Sequence, residues 1–174
     1  MILSLLRNFE ELSRRQYRII SFLYFAVFLV IGLSVLPDYG DSWDEEIQRR
    51  HGRGEFEFRS YEFCFHGTLF QMLNQVIEER LELAEFRQYH QLRHYAVFGL
   101  YYLAVIAFFL TIKENFKRIG LALLGTLMFV LSPRIFGNAF FNIKDIVLMS
   151  TFIFSTYSLI KFMEKRNLKW AILH

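Results

Sequence analysis

Residues 19–37 read IISFLYFAVFLVIGLSVLP, nineteen positions without a charge, rich in Phe, Leu, Ile and Val and closed by a proline. A helix rises about 1.5 Å per residue, so about 20 residues cross roughly 30 Å of hydrocarbon and about 17 suffice. The run is too long for the apolar part of a typical signal peptide, and no A-x-A-like cleavage site follows it, so it reads as an uncleaved signal anchor. Further uncharged runs lie at 95–112, 119–133 and 146–160. The last two reach spanning length only when extended, to 119–135 and 146–163. Lys117, Arg118 and Lys161 can snorkel there, and Phe162 and Met163 continue the fourth run. The expected fold is all-α. It is an integral membrane protein with four transmembrane helices near 19–37, 95–112, 119–135 and 146–163, and a long first extracytoplasmic loop, 38–94, containing amphipathic helices.

The composition points the same way. With 54% hydrophobic residues and 21 phenylalanines among 174 positions, the chain carries more apolar surface than one small soluble core can bury. The net charge of +3 does not indicate nucleic acid, because Lys and Arg bracket the apolar runs instead of clustering on a soluble domain. A single cysteine, Cys64, excludes an intramolecular disulfide framework and multi-cysteine metal sites.

Basic residues alternate between the segments that join the spans. Arg7, Arg14, Arg15 and Arg18 precede the first, Lys113, Lys117 and Arg118 separate the second from the third, and Lys161, Lys165, Arg166 and Lys169 follow the fourth. Loop 38–94 has seven Arg and no Lys against twelve acids. A multi-pass protein of the cell membrane with a cytoplasmic N-terminus is the expectation.

Within loop 38–94, residues 68–87 place Leu69, Leu73, Val76, Ile77, Leu81 and Ala84 at helical spacing, with Gln71, Asn74, Gln75, Glu78, Glu79, Glu82 and Glu85 on the other face. Thr68 with Gln71 has the form of a capping box. Two placements remain open for this helix, on the outer membrane surface or packed on other extramembrane parts of the chain. His90 and His94 are four apart on one helix face, where surface or interfacial histidines are expected because spacing suggests no further metal ligand.

Where the chain leaves the first span, Asp41-Ser42-Trp43-Asp44-Glu45-Glu46 holds four acids in six residues. Ser42 with Glu45 fits a capping box, and acids in a first turn complement the helix dipole. Alternatively Asp44 or Asp41 is a carboxylate kept at the interface as a general base or a ligand for a divalent cation. Between the third and fourth spans, residues 132–145 set Arg134, Lys144, Asp145 and two asparagines among aromatics. Long cationic stems reach water easily from such depth. A short carboxylate beside Ile146-Val147-Leu148 does not, so Asp145 is the functional candidate of this loop.

The order of these features resembles the N-terminal part of GT-C superfamily glycosyltransferases, in the protein-mannosyltransferase-like branch that uses polyprenyl-phosphate sugars. The residues that carry the resemblance are Tyr39-Gly40-Asp41-Ser42-Trp43-Asp44-Glu45, Arg93-His94, Ser132-Pro133-Arg134 and Phe140-Phe141-Asn142-Ile143-Lys144-Asp145. The family commonly has proline where this chain has Ile143 and often histidine where it has Asn138. The resemblance implies transfer of a sugar from a lipid-linked donor to an acceptor hydroxyl on the extracytoplasmic face. It assigns the catalytic carboxylates to Asp44, Glu45 and Asp145, substrate contacts to Arg134, Lys144, Asn142 and Asp41, and allows a divalent metal between Asp44 and Asp145. Such enzymes have many more spans, so the chain reads as an N-terminal fragment, inactive alone, that needs the remaining helices of the same protein or a partner subunit. The competing reading is a non-enzymatic four-span subunit or assembly factor. Thr151, Ser155 and Ser158 make a small polar stripe for helix packing under either reading.

Overall fold

The computed structural model describes residues 14–40, 42–43, 45–56 and 69–174, and among them every regular element is helical. Helix α1 is Arg14–Val35 and runs into a short 3-10 turn, Leu36–Asp38. Outside the spans lie α2, Glu45–Phe56, and α3, Leu69–Arg80. Then follow α4, Phe86–Phe116, α5, Ile119–Val130, α6, Pro133–Asn138, α7, Asp145–Lys165, and α8, Leu168–Leu173.

Among the described residues three helical segments are long and apolar enough to cross a membrane, Arg15–Asp38, Phe86–Phe116 and Asp145–Lys165. The run expected to form the third crossing, 119–135, is divided. Its α-helix stops after 12 residues, about 18 Å at 1.5 Å per residue. Pro133 is the cause. Its ring pushes Ser132 into extended backbone (ψ 114°) and then serves as the first residue of α6, where a missing N–H costs nothing. Pro37 acts similarly at the far end of α1, where the α-helix tightens into the 3-10 turn.

The core lies where α1, α4, α6 and α7 meet. Phe28, Phe98, Tyr101, Phe140 and Ile146 are buried in one apolar cluster. Gly32 lets α1 approach α4, because the Phe98 ring occupies the space that any Cβ at position 32 would need. The outward face of α1, with Phe22, Val27 and Val30, stays exposed, which suits a helix solvated by lipid. At 31 residues α4 is about 46 Å long and outreaches the hydrocarbon, so its first turns, Phe86 to His94, carry the extramembrane helices α2 and α3.

Helix α3 is shorter than the expected 68–87 and ends at Arg80. Glu82 takes a left-handed conformation (φ 52°), the chain turns, and α4 begins at Phe86. Thr68 and Cys64 lie outside the described residues, and the Gln71 side chain accepts a hydrogen bond from Arg93. The burial pattern of α3 is the reverse of a soluble helix. Gln71, Asn74, Gln75 and Glu78 are buried against α2 and α4, whereas Leu69 is 71% exposed and Leu73, Val76 and Ile77 also face outward. The two placements left open by the sequence are therefore compatible, since the polar face packs on protein and the apolar face is left for a membrane surface. Spin labels at Leu73 and Ile77 should meet lipid-soluble oxygen in bilayers, and labels at Asn74 should be shielded. Equal accessibility at all three positions would refute this orientation.

Candidate active site

The turn after α1 and the α6–α7 connection are pinned together by aromatic stacking. Tyr39 stacks on Phe140, with ring centroids 4.5 Å apart, and on Phe141 at 6.0 Å. Phe140 in turn stacks on Phe98 of α4. Two neighbouring cavities share part of their lining. A recess of about 180 Å³ is lined by Ser42, Phe141, Asn142, Ile143, Lys144 and Asp145. Ile143, Lys144 and Asp145 also wall a larger groove of about 520 Å³, whose other sides include Leu69, Phe70 and Leu73 of α3, Leu100 of α4, and Leu148 of α7. Leu148 is exposed on α7, and the groove is walled mainly by apolar side chains, with Lys144 and Asp145 among its polar lining.

Asn142 organises the polar end. Its Oδ1 accepts from the Lys144 and Asp145 backbone N–H groups at 3.1 and 2.9 Å and so caps α7. Its Nδ2 donates to Asp145 Oδ2 at 3.1 Å and to Asn138 Oδ1 at 2.9 Å. Asn138 in turn donates to the Arg134 carbonyl. Asp145 is thus exposed, fixed in the first turn of α7 and aimed into the recess by its neighbours. Lys144 lines both cavities, whereas the exposed Arg134 lines neither. Asp41 and Asp44 lie outside the described residues, Asp44 falling between Trp43 and Glu45 in the sequence.

Glu45 is 1% exposed and reaches inward, away from bulk water. Its Oε1 is 2.7 Å from His94 Nε2, its Oε2 accepts the Ser42 N–H at 2.9 Å, and His90 Nδ1 is 3.6 Å from Oε2. The bond to Ser42 is the carboxylate half of the expected capping box. A second buried group sits beside it. Glu78 Oε2 accepts from Arg49 Nε at 2.9 Å and its Oε1 from Arg93 Nε at 2.5 Å, while the Arg49 guanidinium lies 3.5 Å above the Tyr89 ring. The histidines are therefore not at the surface, as their spacing suggested. The extension of α4 beyond the hydrocarbon places both under α2, where a carboxylate meets them. Sequence reasoning missed this cluster of Arg49, Glu78, His90, Arg93 and His94. One signal was available, because an α3 that turns its apolar stripe to lipid must turn its carboxylates and amides toward protein.

Burial pushes the Glu45 carboxyl up. Hydrogen bonding from His90 and His94, the charge of His94 and the Ser42 N–H together outweigh it and hold the group down at about 2. So weak a base accepts protons poorly near neutral pH, and the geometry of Glu45 suits a bracket between helices. Because this pKa is depressed from an unfolded value of about 4.3, its stabilising contribution is complete above that value and is lost as pH falls toward about 2. Wild-type protein in detergent should lose stability between about pH 4 and pH 2 more steeply than Glu45→Gln. Parallel profiles for the two proteins would exclude this coupling.

Among the described residues no three His, Cys, Asp or Glu side chains come together as a metal site. Asp145 accepts a hydrogen bond from Asn142. Comparisons with family models, with curated proteins and with solved structures find no match to the chain.

Proposed function

We propose that this chain belongs to a membrane glycosyltransferase that moves a sugar from a polyprenyl-phosphate donor to an acceptor hydroxyl on the extracytoplasmic face. The observation that carries this reading is the stacking of Tyr39 on Phe140 and Phe141, which brings Ser42 and the Asn142–Asp145 segment into one recess. The GT-C resemblance needs that juxtaposition, because it draws its carboxylates from both of these loops. The attached groove supports it further, since apolar walls ending at an ammonium and a carboxylate match a lipid tail carrying a polar head.

In the proposed reaction the acceptor oxygen attacks the anomeric carbon while Asp44 takes its proton. The bond from that carbon to the lipid phosphate breaks, its electron pair leaves with the phosphate, and the Lys144 ammonium offsets the growing charge. Asp145 and Asn142, which line the recess, orient the substrate there. The proposed topology puts the N-terminus in the cytoplasm. Its support is that Arg18 at the start of α1 and Lys113 at the end of α4 line one cavity, on the end of α4 away from the recess. At that end too, Lys161 of α7 forms an ion pair with Glu114 of α4.

The test uses sealed membrane vesicles of both orientations from cells expressing the whole reading frame, supplied with labelled polyprenyl-phosphate sugar. Transfer to hydroxyl acceptors is expected on the face that was extracytoplasmic and not on the other. Transfer confined to the cytoplasmic face, or its absence from both, refutes the proposal.

A further inference from the structure

We infer that His94 is a positioning residue for the acidic turn before α2. By holding Glu45, it holds the backbone at Ser42 and Trp43, and Ser42 lines the same recess as Asp145. The kinetic part of this inference rests on the transferase reading above.

The two oxygens of Glu45 do different things. One faces His94 Nε2 on α4, and the other takes the Ser42 backbone N–H, so a single buried carboxylate ties the turn to the longest helix of the bundle. Ser42 is itself part of the recess wall. Trp43 is 87% exposed, so its indole, the one large apolar side chain of the turn, gives it little packing. A lone capping bond is worth only about 1 kcal/mol, too little to fix a turn within a fraction of an ångström. The bond to His94 supplies an anchor outside the local chain. One turn further along α2, Arg49 is held through Glu78 to Arg93, the residue beside His94. Helix α2 therefore has two attachments to α4 and cannot pivot about either. Removing His94 frees the turn but leaves the Arg49–Glu78–Arg93 attachment, so α2 stays docked while its first residues shift. A shift of about 1 Å at reacting groups can cost about 100-fold in rate.

The test uses the full-length protein in lipid nanodiscs with every tryptophan other than Trp43, Trp170 among them, replaced by Phe, so that Trp43 reports on the turn. Trp170 packs on Tyr157 near the basic end of α7, remote from the recess. His94→Phe keeps a ring and loses the hydrogen bond, whereas His94→Gln can keep a donor near the Nε2 position. Trp43 anisotropy should fall in His94→Phe and recover in His94→Gln. In parallel, kcat should fall about 10- to 100-fold in His94→Phe, with the donor KM unchanged, and largely recover in His94→Gln. A purely structural role would lower the yield of folded protein and leave both readouts normal in the molecules that fold. Wild-type anisotropy and kcat in His94→Phe overturn the inference. If His94→Phe does not fold, Glu45→Gln takes its place with the same readouts, because it keeps the acceptor for Ser42 and loses the charge facing His94. Full activity in Asp44→Asn would remove the transferase site reading, and Trp43 anisotropy would still decide the role of His94.

Discussion

Replacing Asp44 by Asn should lower sugar transfer about 100- to 10,000-fold while the protein remains folded and inserted. The amide keeps the size of the side chain and its ability to accept hydrogen bonds at a helix start, but it cannot take the proton of an attacking hydroxyl. Asn is itself a good residue near a helix N-terminus, so the structural cost stays at or below about 1 kcal/mol. This separation makes Asn more informative than Ala, which is poorly suited to the position before a helix and would change that preference and the base together. The neighbouring carboxylate cannot substitute, because Glu45 is buried and held by His94 and Ser42. Asp145→Asn should impair transfer less, since its contact with Asn142 can be kept by an amide oxygen. The measurement is initial transfer rate per folded molecule with a polyprenyl-phosphate sugar. A rate within twofold of wild type for Asp44→Asn would remove Asp44 from the mechanism.

The largest loss of stability is expected from Glu78→Ala. Glu78 is buried between Arg49 and Arg93, which are themselves buried, Arg93 completely. Its removal leaves two guanidinium groups without their shared carboxylate in a site that water does not reach. Breaking a buried ion pair by deleting one partner typically costs about 3–5 kcal/mol, most of it the penalty for the charge left behind. Arg49→Ala should cost less, because Glu78 keeps Arg93, which also holds Gln71. Equilibrium unfolding in mixed detergent–SDS micelles reads the difference. A loss below about 1 kcal/mol in Glu78→Ala would mean that solvent enters the cluster, and the attachment of α2 would then need another explanation.

The spans were legible because their signals are local. An uncharged run, a proline and a flanking cation each act within a few residues, and the segments 19–37, 95–112 and 146–163 lie inside helices of spanning length. Pro133 was equally visible, but extending the span to 119–135 placed it inside a crossing instead of at the start of α6. The capping of α7 by Asn142 is local too, yet the aromatic setting of that loop drew attention to its charges. What could not be read is long-range. Arg49 and Glu78 are 29 positions apart, and Glu45 and His94 are 49 apart, and no periodicity within either segment announces the pairing. Helix α3 shows the principle most clearly. Spacing separated Leu69, Leu73, Val76 and Ile77 from Gln71, Asn74, Gln75 and Glu78, although Glu79 is exposed and the residues after Arg80 leave the helix, but which face meets protein depends on whether lipid is available to the other.

The 31 residues of α4 also act as a measuring rod. Its first turns carry the helices that bracket the recess, and its last turns carry Lys113 and Glu114, which meet the cavity beside α1 and the lysine of α7. The distance between the recess and the basic end is therefore set by one continuous hydrogen-bonded helix, not by the lengths of the connecting loops. A thicker or thinner bilayer can change the tilt of that helix, at a cost of a fraction of a kcal/mol per ångström of mismatch, but not the separation it fixes. Bilayer thickness thus adjusts the tilt of the helix, while the arrangement of groups along it stays constant.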